Sequence, residues 1–117
     1  MIAHIILFEP RSNLTEPEQK DLLDSFTAAA AVPGVRNLRI GRRILHGLPG
    51  YEQLMTHNFE YAAILEFDDV AALREYLNHP AHAAAGRHFT ASAASALAYD
   101  YALASADEFV TLVSKKA

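Results

Sequence analysis

The sequence has no cysteine, which excludes disulfides, thiolate nucleophiles and zinc sites built on cysteine. It also has no apolar run long enough to span a membrane. The apolar start, MIAHIILFEP, is short, follows no basic segment and contains His4, so it indicates a strand and not a signal peptide. A chain without cysteine suits a reducing compartment, and we therefore expect a cytoplasmic protein with no membrane partner.

Basic residues are scattered, apart from four arginines between residues 36 and 43. The formal net charge is −4, so most of the chain offers no basic surface to a phosphate backbone, and we expect no nucleic-acid partner. The sequence also lacks the G-x-S-x-G elbow of serine hydrolases and the glycine-rich loop that binds phosphates.

One histidine pair, in the stretch H-P-A-H, has a spacing that metal sites use. His79 and His82 lie three residues apart, but Pro80 between them predicts a helix break. No H-E-x-x-H motif or acidic cluster accompanies the pair. We therefore predict no metal site and no cofactor.

What the sequence does contain is the composition of one globular domain. Its 117 residues are 51% hydrophobic and 21% charged, enough to bury a core. Residue patterns predict strands at 2–9, 35–45, 59–67 and 94–103 and helices at 15–31, 70–78, 80–88 and 105–117. Thr15 and Glu18, and later Ser105 and Glu108, have the spacing of capping boxes. Asp68 is the predicted cap of the second helix, and Lys115 and Lys116 suit the end of the last one.

The order β-α-β-β-α-β predicts an α+β, ferredoxin-like fold with an antiparallel sheet and a second crossover helix broken at Pro80. Residues 1–104 form this domain, and residues 105–117 form a short helical tail. Both crossover helices cover one face of the sheet, while the first and last strands are apolar on both faces. We therefore predict a homodimer in which two sheets pair face to face as a barrel.

Tyr76 and His82 are the candidates for chemistry. Tyr76 lies at the edge of the helical stripe of Leu73 and Leu77, where its ring can pack inward and its hydroxyl can reach a polar partner; an ordinary core tyrosine is the simpler interpretation. His82 falls in the first turn of the helix that Pro80 opens, where the helix dipole disfavours imidazolium. Together they could remove a proton next to a carbonyl, or His82 could simply satisfy backbone groups at the helix start.

The other histidines near these residues have different predicted places. His79 caps the second part of the broken helix or bonds across the break, and His88 lies on the surface. His4 shares a strand face with large apolar residues, so it needs a polar partner or water. If that face meets the helices, His4 lines one cavity with Tyr76 and His82; if it meets a second subunit, it is a buried interface residue.

The strand order together with I-A-H-I-I-L-F, V-P-G-V, F-E-Y-A-A-I-L-E-F-D-D, R-E-Y-L-N-H-P-A-H and A-Y-D-Y resembles the stress-responsive A/B barrel (Dabb) family. The resemblance implies a dimeric α+β barrel. A plant polyketide cyclase of this family performs a cofactor-free aldol condensation, and the resemblance places its catalytic tyrosine and histidine on Tyr76 and His82. It also implies substrate-binding roles for His4 and for Tyr61, which stands where that cyclase has histidine.

Three functional hypotheses follow from the residues and the resemblance. The first is cofactor-free acid–base chemistry on a small carbonyl compound, as a cyclase, lyase or isomerase, with a ligand cavity under the helix break. The second is a non-catalytic dimeric stress-response or small-ligand-binding protein, with a filled interior and His82 bonded to backbone. The third is a cofactor-free monooxygenase.

Overall fold

The structure, a computed structural model, describes residues 1–114; Lys115 and Lys116, and with them the predicted basic helix end, lie outside the described residues. The strands are β1 (Ile2–Pro10), β2 (Asn37–Arg42), β3 (Tyr61–Phe67) and β4 (Ala93–Ala102). The helices are α1 (Glu16–Ala30), α2 (Val70–Leu77), α3 (Pro80–Ser92) and α4 (Phe109–Ser114). The predicted β-α-β-β-α-β order is confirmed, with the second crossover divided at Pro80.

The four strands form one antiparallel sheet in the order β2-β3-β1-β4, which confirms the ferredoxin-like fold. The helices cover one face, and side chains from both layers form a buried core that includes Phe8, Phe26, Leu65, Phe67 and Leu73. In the register, His4 lies opposite Leu65 of β3 and Asp100 of β4. The core face of the sheet therefore carries His4, which places this histidine under the helices.

Side-chain caps set where α1 and α2 begin. The predicted capping box is present: the Glu18 amide donates to Thr15 Oγ1 at 3.3 Å, and the Thr15 amide donates to Glu18 Oε1 at 3.0 Å. The cap of α2 is Asp69 and not the predicted Asp68, since Asp69 Oδ1 accepts the Ala72 amide at 2.8 Å. Asp68 instead accepts from Arg36, which lies just before β2, so of two consecutive aspartates the second is the one that caps the helix.

The break at residue 79 is built as expected. His79 has extended backbone and caps α3, its Nδ1 accepting the Ala81 amide at 3.0 Å, and Pro80 occupies the first helical position. His88 is exposed on α3, as predicted. The crossover is thus two helices in series, joined at Asn78 and His79.

The strands around the β2–β3 connection are shorter than predicted. The ladder ends after Arg42, although the Arg43 amide still donates to the Glu60 carbonyl at 2.7 Å. Gly47 and Gly50 then adopt positive φ in a turn-rich segment that carries Ile44 at 80% exposure. The alternation of residues 35–45 predicted a longer strand, because alternation alone cannot show where pairing with the neighbouring strand ends.

The second face of the sheet is apolar and uncovered by any described helix of this chain. Leu97, Tyr99 and Tyr101 of β4 lie opposite Leu7, Ile5 and Ala3 of β1 on this face. Tyr99 is 54% exposed, so this face is open to solvent in a single chain.

The tail has the predicted second capping box, in which the Glu108 amide donates to Ser105 Oγ at 3.3 Å. Within residues 1–114, none of the helices has the length and apolar character needed to cross a membrane.

Candidate functional site

Three aromatic rings meet where β1 passes beneath the helix break. His4 comes from β1, Tyr76 from the last turn of α2 and His82 from the first turn of α3. The ring centroids of Tyr76 and His82 are 4.9 Å apart, and those of His4 lie 5.8 Å from Tyr76 and 6.1 Å from His82, all in edge contacts. The fold therefore brings together three of the four residues singled out in the sequence.

Asp100 orients the His4 ring. Directly opposite residues of an antiparallel pair have neighbouring side chains on one face, and His4 and Asp100 are such a pair. His4 Nδ1 lies 2.5 Å from Asp100 Oδ1. Because a carboxylate can only accept, this contact places the proton of His4 on Nδ1 and points Nε2 away from Asp100.

The end of α2 orients the His82 ring in a similar way. Leu77 is the last residue of α2, so its carbonyl has no partner in its own helix. His82 Nδ1 lies 3.1 Å from this oxygen. The carbonyl can only accept, so Nδ1 carries the proton and Nε2 keeps the lone pair of the neutral ring. One bond thus ties the two helices together and leaves His82 with a basic nitrogen.

Burial shifts the pKa values of both Tyr76 and His82 toward their neutral forms. Loss of water around the phenol raises the pKa of Tyr76 to about 12. Burial lowers the pKa of His82 below its ordinary value, as does the nearby His4, while the bond to Leu77 and the charge of Asp100 oppose the shift. At neutral pH the pair is consequently a protonated phenol beside an unprotonated imidazole.

The two groups do not bond to each other. Among the described residues the Tyr76 hydroxyl forms no hydrogen bond with His82, whose ring it meets edge-on. Both instead line a cavity of about 160 Å³. Its remaining walls are mostly apolar and include Ile6, Phe26, Ala85, Phe89 and Ala98. A donor and an acceptor therefore face the same small space, which matches the arrangement needed to act on one bound molecule.

Tyr61 lies apart from this cluster. Its ring stacks on Phe8, 5.6 Å between centroids, and lines a second cavity of about 340 Å³ near the start of α1. Strand alternation indicates that Tyr61 and His4 share the core face, but they lie at different ends of the sheet. Its substrate-binding role stays a prediction, and any ligand contact would be through that second cavity.

Asp100 and the Leu77 carbonyl are parts of the site that sequence reasoning missed. Asp100 is the one charged residue on a β4 face that otherwise carries small residues, Ala96, Ala98 and Ala102. That pattern was a usable signal, but linking Asp100 to His4 requires the strand register. No group of three histidine or acidic side chains able to hold a metal ion occurs among residues 1–114.

The lowered pKa of His82 predicts a pH effect on stability. Unfolded His82 binds its proton with a pKa of about 6.5, more tightly than folded His82 does, so acid favours the unfolded chain. The free energy of unfolding should fall as pH drops from about 6.5 toward the folded pKa. His82→Gln should remove this part of the slope in urea unfolding measured at several pH values. His88→Gln, an exposed control, should keep it, and identical slopes in His82→Gln and wild type would contradict the prediction.

Comparison with known proteins places the chain in a family. The Dabb, or Stress responsive A/B Barrel Domain, family model matches residues 2–103. A dimeric ferredoxin-like protein of unknown function from Thermobifida fusca is 26% identical, with a TM-score of 0.66, covering 87% of this chain and 90% of that one. A Dabb family protein from Mesorhizobium loti is 24% identical, with a TM-score of 0.69, over 89% of this chain and 97% of that one.

A hydroxynitrile lyase from Passiflora edulis has the same fold at 13% identity, with a TM-score of 0.73, covering 88% of this chain and 93% of that one. No curated protein matches the chain significantly. The family match spans most of the sequence and agrees with the observed topology and with the resemblance in the quoted motifs. The chain therefore belongs to the stress responsive A/B barrel domain (Dabb) family.

Proposed function

We propose that this protein performs cofactor-independent acid–base chemistry on a small carbonyl compound, as a cyclase, lyase or isomerase. One observation carries the proposal: the same cavity is lined by the unprotonated imidazole of His82 and by the protonated phenol of Tyr76. A base and a hydrogen-bond donor that face one bound molecule are what proton removal next to a carbonyl needs.

The roles follow from the groups' protonation. His82 Nε2 takes the proton from the carbon beside the carbonyl, and the Leu77 carbonyl stabilises the imidazolium that forms. Tyr76 donates to the carbonyl oxygen, where negative charge develops. With a pKa of about 12, Tyr76 remains a donor through the neutral range. His4, held by Asp100, would bind the substrate beside this pair, and Tyr61 would contact only a substrate that reaches the second cavity.

Among the three reaction types, the lyase is represented among the similar solved structures. The Passiflora edulis protein is a hydroxynitrile lyase, and its likeness to this chain is one of fold. It supports the view that this fold can house lyase chemistry.

We also propose that the protein is a cytoplasmic homodimer. The apolar face with Tyr99 and Leu97 would be an unusually large exposed patch on a monomer, and similar solved proteins are described as dimeric. A face-to-face pair of sheets removes the patch from water. The lack of cysteine suits the cytoplasm.

A non-catalytic, small-ligand-binding role is the second candidate, and one observation favours it. The bond from His82 Nδ1 to the Leu77 carbonyl ties α2 to α3, which is a structural use of the histidine. The cavity beside the bond would then bind a ligand without converting it. The two candidates differ in whether His82 changes the bound molecule.

Proton exchange measures that difference. Cyclohexanone and a panel of small ketones and aldehydes are incubated in D2O with the protein, and loss of the signal of the proton beside the carbonyl is followed by NMR. Wild type should accelerate exchange over buffer, His82→Gln should lower the rate by about 10²–10⁴-fold, and Tyr76→Phe by about 10²–10³-fold.

The control is His88→Gln, which removes an exposed histidine from the same helix and should leave the rate unchanged. Circular dichroism shows whether each variant is folded. A wild-type rate equal to buffer across the panel, or full activity in His82→Gln, would reject the catalytic proposal in favour of the binding protein.

A further inference from the structure

Two cavities lie under the helices, one on each side of a wall of phenylalanine rings. The Tyr76–His82 cavity and the Tyr61 cavity share one lining residue, Phe26 of α1. Phe8 of β1 lines only the Tyr61 cavity, and Phe89 of α3 lines only the Tyr76–His82 cavity. The wall therefore takes one ring from each of three different elements.

The three rings contact one another. Phe8 and Phe89 meet edge to face with centroids 4.9 Å apart, and Phe26 lies 6.0 Å from Phe8 and 6.4 Å from Phe89. Phe8 and Phe26 are buried, with 5% and 6% of their surface exposed. Rings packed at these distances leave no passage for a ligand chain between the cavities.

The size of the space on the histidine side limits the ligand. That cavity is about 160 Å³, below the range of about 300–1,000 Å³ usual for drug-sized ligands. An apolar cavity of about 150 Å³ is known to hold benzene. A ligand confined to this side is therefore a compact molecule of about one six-membered ring.

The charges around the cavity further limit which ligands can bind. No lysine or arginine lines the smaller cavity in the part of the chain that the structure describes. Arg11, beside the larger cavity, already donates to the Ala91 carbonyl, to Asn13 and to Glu18. The Asp100 carboxylate behind His4 opposes a second negative charge. These features select against a carboxylate or phosphate on the ligand.

We propose that Phe26, with Phe8 and Phe89, is a specificity-determining wall that restricts the site to a compact, uncharged carbonyl compound without a long substituent. The inference deepens the proposed function, on which it rests for the nature of the reacting group. Shortening Phe26 joins the two cavities and admits a substituent that extends toward Tyr61 and Leu22.

The test uses two ketones that differ only in a tail, cyclohexanone and 4-butylcyclohexanone. Dissociation constants are measured by NMR titration of the whole protein. Wild type should bind the butyl ketone at least about tenfold more weakly than cyclohexanone, although its greater apolar area favours burial. Phe26→Ala should bind the butyl ketone at least about tenfold more tightly than wild type does.

Leu23→Ala is the matched control, since Leu23 is a half-exposed α1 residue that lines only the larger cavity. It should keep the wild-type preference. If Phe26→Ala does not fold, Phe89→Leu is used instead, because it shortens the ring that α3 contributes to the wall. This variant should also bind the butyl ketone more tightly than wild type does.

Equal binding of both ketones by wild type, binding of neither, or an unchanged preference in the folded wall variant would overturn the proposal. Proton exchange separates it from the proposed function. If the protein shows the expected binding preference between the two ketones but no proton exchange, the phenylalanine wall is supported and the catalytic role is rejected. If it catalyses exchange but binds both ketones equally, only the wall is rejected.

Discussion

Replacing Tyr99 with aspartate is expected to convert the proposed homodimer into monomers. Tyr99 lies centrally in β4, opposite Ile5, on the sheet face that no described helix of its own chain covers. In the proposed homodimer this face meets its copy, so each dimer would bury two unpaired carboxylates in an apolar interface. The cost is on the order of several kcal/mol per charge, enough to dissociate an ordinary dimer. Light scattering coupled to size-exclusion chromatography measures the mass directly.

Val70→Asp is the control for the added charge. Val70 is 47% exposed at the first position of α2, in the helical layer, where an aspartate also suits the helix dipole. This variant should remain dimeric, as should Tyr99→Phe. A Tyr99→Asp protein of dimeric mass would show that the interface lies on another surface.

The fold could be predicted because each of its local signals agrees with the others. The capping box of Thr15 and Glu18, the proline after His79 and strand alternation each depend on residues close in sequence. The cap of α2 was predicted wrongly because Asp68 and Asp69 are both good capping residues. Only the path of the backbone decides which of the two carboxylates faces the helix. The error is one residue wide for that reason.

The site was predictable in part. Helical spacing across a break allowed Tyr76 and His82 to meet, and the family resemblance selected them. His4 could not be assigned to a layer until the register with Leu65 and Asp100 was known. Register depends on contacts between distant parts of the chain, which periodicity within one strand does not encode.

The separation of Tyr61 from the histidines shows the same limit. Alternation assigns Tyr61 to the correct face of β3, but Phe8 and Phe26 determine which cavity it reaches. These phenylalanines look like ordinary core residues in the sequence. Only their packing against Phe89 makes them a partition, so a candidate pocket cannot be drawn from a list of polar residues alone.

Phe67→Ala should cause the largest loss of stability among single changes in the core. Phe67 is fully buried at the end of β3, and truncating such a ring costs about 3–5 kcal/mol, a large share of the stability of a domain this size. Urea unfolding at one fixed protein concentration measures the loss, since the proposed dimerisation would make stability concentration-dependent. Phe109→Ala, at a ring that is 57% exposed, should change stability by less than about 0.5 kcal/mol, and similar losses in both would contradict the prediction.

Phe67→Ala should also lower any activity of the Tyr76–His82 site. The Phe67 ring centroid lies 5.2 Å from that of Tyr76, whose own ring lies 4.9 Å from that of His82, so Phe67 packs directly against the ring that carries the phenol. A void behind Tyr76 lets its ring retreat from the cavity. Any exchange activity in folded Phe67→Ala should therefore fall toward that of Tyr76→Phe, because a hydrogen-bond donor displaced by about 1 Å loses much of its effect on the transition state.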